Sequence, residues 1–268
     1  MLYYLFVKNG VKYAPIMVGL TMKLIIIRHA EPDYPNNSLT AKGFIEAELL
    51  AKRIGSLPNV AGVFTSPIAR AVLTAKPCCS RLGIEPEVLP WLQEFRGKIL
   101  DPETGEERIP WDLKHKHFET HPSLFDEALW VDHPLMTTGS PSVKEVYQET
   151  CQGVDDLLAR FGVIHKHHGM YACEHNDERT VILFCHMAMG MTIVGHLTKI
   201  SPFALWHGFC MPPSSVTTLV TEERTKGMVS FRCFQMGDTS HLALGNEPPS
   251  RMAMYQEIFT GTDHTSTT

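Results

Sequence analysis

The chain has 268 residues, with 24 Lys and Arg against 29 Asp and Glu, for a formal net charge of −5 with histidine neutral. That acidic balance argues against broad nucleic-acid binding, which draws its affinity from many phosphate-neutralising cations on one face. With 44% hydrophobic and 20% charged residues, the chain carries enough apolar surface for a large core and is not a disordered polypeptide.

No apolar run approaches the roughly 18 residues that a membrane-spanning helix requires, so no membrane partner is expected. The apolar opening ends at Lys8 and lacks the basic start and small-residue cleavage pattern of a signal peptide, so residues 1–22 read as an N-terminal extension. Seven cysteines, an odd number with Cys78 and Cys79 adjacent, suit no disulfide framework and point to a reducing cytoplasm.

Residues 24–27 form a continuous leucine and isoleucine run, short enough for a buried strand, that delivers Arg28, His29 and Ala30 into a turn-rich segment at 32–38. Thr40 then caps a helix whose apolar positions Phe44, Ala47, Leu50, Ala51 and Ile54 recur at helical spacing until Gly55 and Pro58 stop it. Residues 62–64 read as a second, short strand, Thr65 and Ser66 as a capping turn, Pro67 as a first helical residue and 69–82 as a helix. Strands alternating with helices predict an α/β fold.

Residues 96–141 break this rhythm, because Gly97, Asp101, Pro102, Gly105, Pro110 and Asp112 interrupt the first half and no clean period follows. An irregular, partly helical insertion is expected there. Ser142 with Glu145 makes a capping box, and Val143, Val146, Tyr147, Val154, Leu157, Leu158 and Phe161 continue the stripe of a long helix. Residues 180–184 predict a buried strand ending at Cys185 and His186, then a helix through Leu197, and 216–221 with 229–234 predict a hairpin. Residues 261–268 read as a disordered tail, and no linker divides 23–260, which is taken as one domain.

Two strand ends thus each present a histidine, His29 and His186, and ligands bind at strand ends in such sheets. Arg28 precedes the first, and Arg70 falls in the first turn of the second helix, where its fork can join Arg28 around one anion. Two arginines and two histidines converging on one pocket make a phosphate site.

With these residues the sequence resembles the histidine phosphatase superfamily, also called the phosphoglycerate mutase-like family. The matching segments are Leu24-Ile25-Ile26-Ile27-Arg28-His29-Ala30-Glu31, Leu39-Thr40-Ala41-Lys42-Gly43, Thr65-Ser66-Pro67 through Arg70-Ala71 to Thr74-Ala75, Glu94, the strand ending at His186, and Gly237-Asp238-Thr239-Ser240-His241-Leu242. They occur in the family's order. The resemblance implies a three-layer α/β/α sandwich around a mostly parallel central sheet, and a reaction through a phosphohistidine.

On that resemblance His29 is the nucleophile, active as a neutral imidazole, and Arg28, Arg70 and His186 hold the equatorial oxygens of the transferring phosphoryl group. Glu94 sits where the family carries its general acid, with Glu31, Glu103 and Glu106 as rivals. Asn36 or Asn37 is a candidate amide donor to the phosphate, and Thr40 either lines the pocket or only caps the helix. Ala30, and Met187-Ala188-Met189 after the second histidine, depart from frequent glycines, so Met187 is expected to bear on pocket width.

Only residues 30–38 separate His29 from Leu39, with no Phe-x-Gly-Trp stretch of the kind that mutases of this family resemble one another in. Hydrolysis of a small phosphomonoester by water is therefore expected, with a phosphoglycerate-type mutase or a non-catalytic phospho-ligand-binding protein as alternatives. No cofactor is expected: His115, His117 and His121, and His165, His167, His168, Cys173 and His175, crowd two polar stretches with metal-ligating side chains, but they read as solvated loops without ligand spacing. The insertion carries Trp111, His115, His117, Trp130 and His133, its tryptophans either gripping the organic part of the substrate or anchoring the insertion to the core.

Overall fold

The computed structural model describes residues 21–174 and 178–252, together with a backbone pairing of Val7–Lys8 with Val11–Lys12. Apart from that pairing, the expected extension up to residue 20 lies outside the described residues, as do the tail at 261–268 and His175. In chain order the principal elements are β1 (Lys23–Arg28), α1 (Ala41–Ile54), β2 (Val60–Thr65), α2 (Ala69–Leu82), β3 (Glu87–Val88), α3 (Val143–Ala159), β4 (Val163–His167) and β5 (Met170–Cys173). They continue with β6 (Thr180–Cys185), α4 (Met187–Thr198), α5 (Pro202–Gly208), β7 (Val216–Thr225), β8 (Met228–Asp238) and α6 (Ser240–Leu244).

The strands build one eight-stranded sheet in the order β4-β5-β8-β7-β1-β6-β2-β3. Its heart is parallel: β1, β6, β2 and β3 run in one direction, joined by helices. The late hairpin then adds β7 antiparallel to β1, and β8, β5 and β4 extend that side. The stretch at 163–173, expected as a polar loop, is therefore an edge hairpin; its outward histidines hid the alternation of Val163, Tyr171 and Cys173, which are buried.

β1 is apolar on every residue from Leu24 to Ile27 because both of its faces are covered. Ile25 and Ile27 pack with Leu50, Ile54, Ala75 and Cys78 of α1 and α2, whereas Leu24 and Ile26 join Val154, Leu158, Met191 and Val194 of α3 and α4 on the other face. Each such side chain contributes about 1.5–3 kcal/mol on burial. The result is the expected α/β/α sandwich.

Thr40 caps α1 by accepting from the Gly43 N–H at 3.0 Å, and Gly43 has no freedom to be larger: a Cβ there would stand 2.3 Å from the Glu31 carbonyl oxygen. Helix α2 starts at Ala69 with Ile68 as its cap rather than at Pro67, because Ser66 turns back to accept from the Ile68 N–H at 3.2 Å. The capping box of α3 forms in both directions between Ser142 and Glu145. The insertion at 96–141 consists of one short strand pair, Ile99–Leu100 with Glu107–Arg108, and five single 3-10 turns. Trp130 fixes it to the core, fully buried against Tyr147 and Trp206. Among the described residues no helix is long and apolar enough to cross a membrane.

Candidate active site

Three neighbouring strands end together at one edge of the sheet. The register sets Phe184 beside both Ile27 and Thr65, so the residues that follow, His186, His29 and Ser66, emerge side by side. The His29 N–H donates to the Cys185 carbonyl at 2.9 Å and the Ser66 N–H to the Phe184 carbonyl at 2.9 Å, which ties the three turns to one another. The rings of His29 and His186 stand 5.1 Å apart, at 2% and 0% exposure.

His29 Nδ1 lies 2.8 Å from the carbonyl oxygen of Ala30. A carbonyl only accepts, so Nδ1 carries the proton and Nε2 keeps its lone pair. Burial, then the charges of Arg28 and Arg70, push the pKa of His29 well below its usual value, with the Ala30 carbonyl pulling weakly the other way. His29 is thus a neutral imidazole with a defined tautomer.

Burial likewise lowers the pKa of His186 well below the usual value, helped by His29, Arg70 and Arg28. Its Nε2 meets Ser66 Oγ at 2.8 Å, and Ser66 Oγ also accepts from Ile68 N–H; a hydroxyl that donates to Nε2 leaves the ring proton on Nδ1. That Nδ1, and Nε of Arg70, are buried without a hydrogen-bond partner among the described residues. Burying an unpartnered donor costs about 1–3 kcal/mol, a cost that a bound anion's oxygen removes. Arg28 is 3% exposed and donates through Nη1 to the Met211 carbonyl at 2.5 Å, which fixes its guanidinium beside β1.

Glu94 approaches from the loop before the insertion. Its Oε1 accepts from its neighbour Phe95 N–H at 2.8 Å and from Met189 N–H, in the first turn of α4, at 3.1 Å. Burial raises its pKa; those two N–H groups, Arg28 and Arg70 oppose the rise without cancelling it. A carboxyl that stays protonated above its ordinary range suits an acid role.

Arg28, Arg70, Glu94 and Met187 line one cavity of about 160 Å³, together with Tyr34, Ile109 and Trp111. His29 and His186 are not in its wall themselves but adjoin it through their chain neighbours Arg28 and Met187. A groove of about 510 Å³ between α1 and α2 is larger, yet the groups with acid, base and anion chemistry border the smaller cavity. Sequence reasoning missed Tyr34, whose ring lies 5.4 Å from the Arg70 guanidinium; a tyrosine in a proline-rich turn carries no periodic signal. It also read Ser66 only as a cap, although its place at a strand end was visible.

Three candidates are not brought to this cavity. Thr40 is the helix cap, and its hydroxyl donates to Glu31 Oε1 at 2.8 Å. The Asn36 amide donates to Asp33 Oδ2 at 2.8 Å, and Asn37 is an exposed turn residue with φ of 47°. Of the rivals to Glu94, Glu31 is held by Thr40 and Ser250, and Glu103 by Lys116. Asp101, Glu103 and His117 are the described residues that offer metal-ligating atoms within 4.8 Å of one another, but Arg108 contacts Asp101 at 2.7 Å and Lys116 contacts Glu103 at 2.7 Å, cations that already balance those carboxylates. His165 pairs instead with Asp155, at 2.9 Å.

The profile of the histidine phosphatase superfamily (branch 1) matches residues 24–233, so the chain belongs to that superfamily. The fold is similar to that of Entamoeba histolytica phosphoserine phosphatase, with a TM-score of 0.53 and 18% identity over 82% of this chain and 99% of that one. It is also similar to mycobacterial glucosyl-3-phosphoglycerate phosphatase, with a TM-score of 0.51 and 18% identity over 81% and 99% of the two chains. The alpha-ribazole phosphatase of Shigella flexneri matches with a TM-score of 0.51 and 14% identity over 81% and 97%. A PE-PGRS family protein of Mycobacterium tuberculosis is 36% identical over 67 residues, which are 25% of this chain and only 12% of that protein's length.

Proposed function

We propose that the protein is a phosphomonoester hydrolase that works through a phosphohistidine on His29. The observation that carries this reading is the 2.8 Å contact of His29 Nδ1 with the Ala30 carbonyl, which leaves Nε2 as a neutral nucleophile beside two arginines. Membership of the superfamily, and a fold shared with three proteins named as phosphatases, support it.

In the first step the Nε2 lone pair attacks phosphorus, the ester bond breaks, and the leaving oxygen takes the proton of Glu94. Arg28, Arg70 and the Nδ1–H of His186 stabilise the charge on the three equatorial oxygens, where preorganised donors act most strongly. In the second step the Glu94 carboxylate accepts a proton from water as its oxygen attacks phosphorus. The N–P bond breaks, inorganic phosphate leaves, and His29 and protonated Glu94 are restored. No step calls on a metal, so turnover is expected to be unchanged by a chelator.

Release of phosphate from an aryl phosphate by the wild-type protein and by His29→Ala tests the reading. Turnover that disappears with His29 supports it; equal rates would overturn it, and binding of phosphate without turnover by either protein would favour a phospho-ligand receptor.

A further inference from the structure

The cavity that receives the leaving group has a wall unlike its floor of cations. Beyond Arg28, Arg70 and Glu94, it is made by Tyr34, Ile109, Trp111 and Met187, three apolar side chains and one phenol. Two of these come from the insertion, where Pro110–Asp112 forms a 3-10 turn, and Trp111 is held at 8% exposure by Phe95 and Trp206, with ring centroids 6.4 Å and 5.9 Å away. The position of the indole is therefore set by the core, not by the substrate.

The charge count is equally specific. Arg28 and Arg70 are the cations of the wall, two positive charges that match the two negative charges of a phosphomonoester. Both histidines are held neutral, and Glu94 contributes no positive charge. Arg108, beside Ile109 in the chain, turns its Nε to Asp101 at 2.7 Å and its Nη1 to Asp112 at 3.2 Å. Lys114 and Lys116 of the same insertion contact Glu103. The insertion thus meets the cavity with apolar atoms while Arg108, Lys114 and Lys116 face its own acids and Arg96 pairs with Glu149 of α3. A carboxylate or second phosphate on the leaving group would enter without a counter-charge, and like-charge or unpaired charges in such a place disfavour a ligand strongly.

Resting on the phosphatase reading above, we infer that the substrates are phosphomonoesters whose leaving group is uncharged and presents an apolar or aromatic part beside the ester oxygen. A volume of about 160 Å³ is close to that of a cavity which holds one benzene ring, so the wall encloses the phosphoryl group and the first atoms of the leaving group, with the remainder at the mouth. Ile109 and Trp111 are the specificity-determining side chains.

The test is phosphate release from phenyl phosphate, glycerol 2-phosphate and 3-phosphoglycerate by the wild-type protein, with Ile109→Arg as the second arm. The kcat/KM for phenyl phosphate is expected to exceed that for 3-phosphoglycerate by about 100-fold, with glycerol 2-phosphate between, and Ile109→Arg to narrow the gap about tenfold by improving the acid. Trp111→Phe should raise KM for phenyl phosphate more than for glycerol 2-phosphate. Equal or better use of 3-phosphoglycerate by the wild-type protein would overturn this inference and leave the phosphatase reading intact. Release of phosphate from none of the three would overturn the phosphatase reading itself.

Discussion

Ser66 Oγ stands 2.8 Å from Nε2 of His186, and this contact decides which face of the second histidine can donate to a phosphoryl oxygen. With the hydroxyl, which also accepts from the Ile68 N–H, donating to Nε2, Nδ1 keeps the N–H. Ser66→Ala removes that control. The variant is expected to lose about 10- to 100-fold in kcat with little change in KM, because the lost donor matters most where charge develops. Steady-state kinetics with Ser66→Thr as the conservative control checks this; a normal kcat in Ser66→Ala would show that Ser66 only shapes the turn.

Glu94 is given two duties, and they separate by leaving group. In Glu94→Gln the first step with an alkyl phosphate is expected to slow by about 10²–10⁴, the usual worth of general acid–base catalysis. With p-nitrophenyl phosphate the leaving group needs little protonation, so one equivalent of p-nitrophenol should appear in a burst before a slow steady state. The wild-type rate should fall as pH rises through the raised pKa of Glu94, since the acid form is lost there, and the acid side should not report His29, whose pKa lies well below its usual value. A Glu94→Gln variant with wild-type kinetics on both esters would remove Glu94 from the mechanism.

Two histidines outside the site, His207 and His241, add to the pH dependence of the fold's stability. Burial, assisted for His241 by Arg53 and opposed by Asp238, brings His207 and His241 down to about 4 from the usual 6.5. Below about pH 6.5 the unfolded chain takes up protons on these rings while the native protein does not, so their contribution is fully present above that pH and is lost as pH falls towards about 4. His241, at 3% exposure, accounts for at most about 3 kcal/mol over that window. Because Glu46, raised to about 7 by burial, acts in the opposite sense over this range, the comparison is between proteins: from about pH 7 to about pH 5, denaturant unfolding should show His241→Asn losing less stability than the wild-type protein, and the same pH dependence in both would contradict the assignment.

Gly43 marks how tightly the loop after His29 is clamped to α1. Because a Cβ would stand 2.3 Å from the Glu31 carbonyl oxygen, backbone must move, and Gly43→Ala is expected to cost about 2–4 kcal/mol of stability despite its better helix propensity. Chemical denaturation measures this directly. A stabilised Gly43→Ala would mean that the loop yields freely.

Most of the parallel heart of the fold was legible in the sequence, because β1 and β6 are unbroken apolar runs and α1 and α3 carry helical stripes with side-chain caps. The edge hairpin at 163–173 was not, since Ile164, His165, Lys166, His167 and His168 are all exposed and blur the alternation of its one buried face. Arg28, His29, Arg70 and His186 could be nominated because strand ends and helix starts are local features, whereas Glu94 came only through the family resemblance. Tyr34 and Ile109 could not, because they join the cavity through loops whose paths depend on tertiary packing. Asn36, Asn37 and Thr40 do not line the cavity for a related reason: they are polar residues near the site in sequence that are satisfied locally, by Asp33, by a left-handed turn and, for Thr40, by the cap of α1 that the sequence also offered.

The central claim is a covalent phosphohistidine on His29, and rapid quenching of the protein with a labelled phosphomonoester tests it most directly. Label that is bound to protein, lost in acid and retained in base, located on His29 and absent from His29→Ala, is the expected result. Full turnover with no such adduct, or an adduct that persists in His29→Ala, would contradict it.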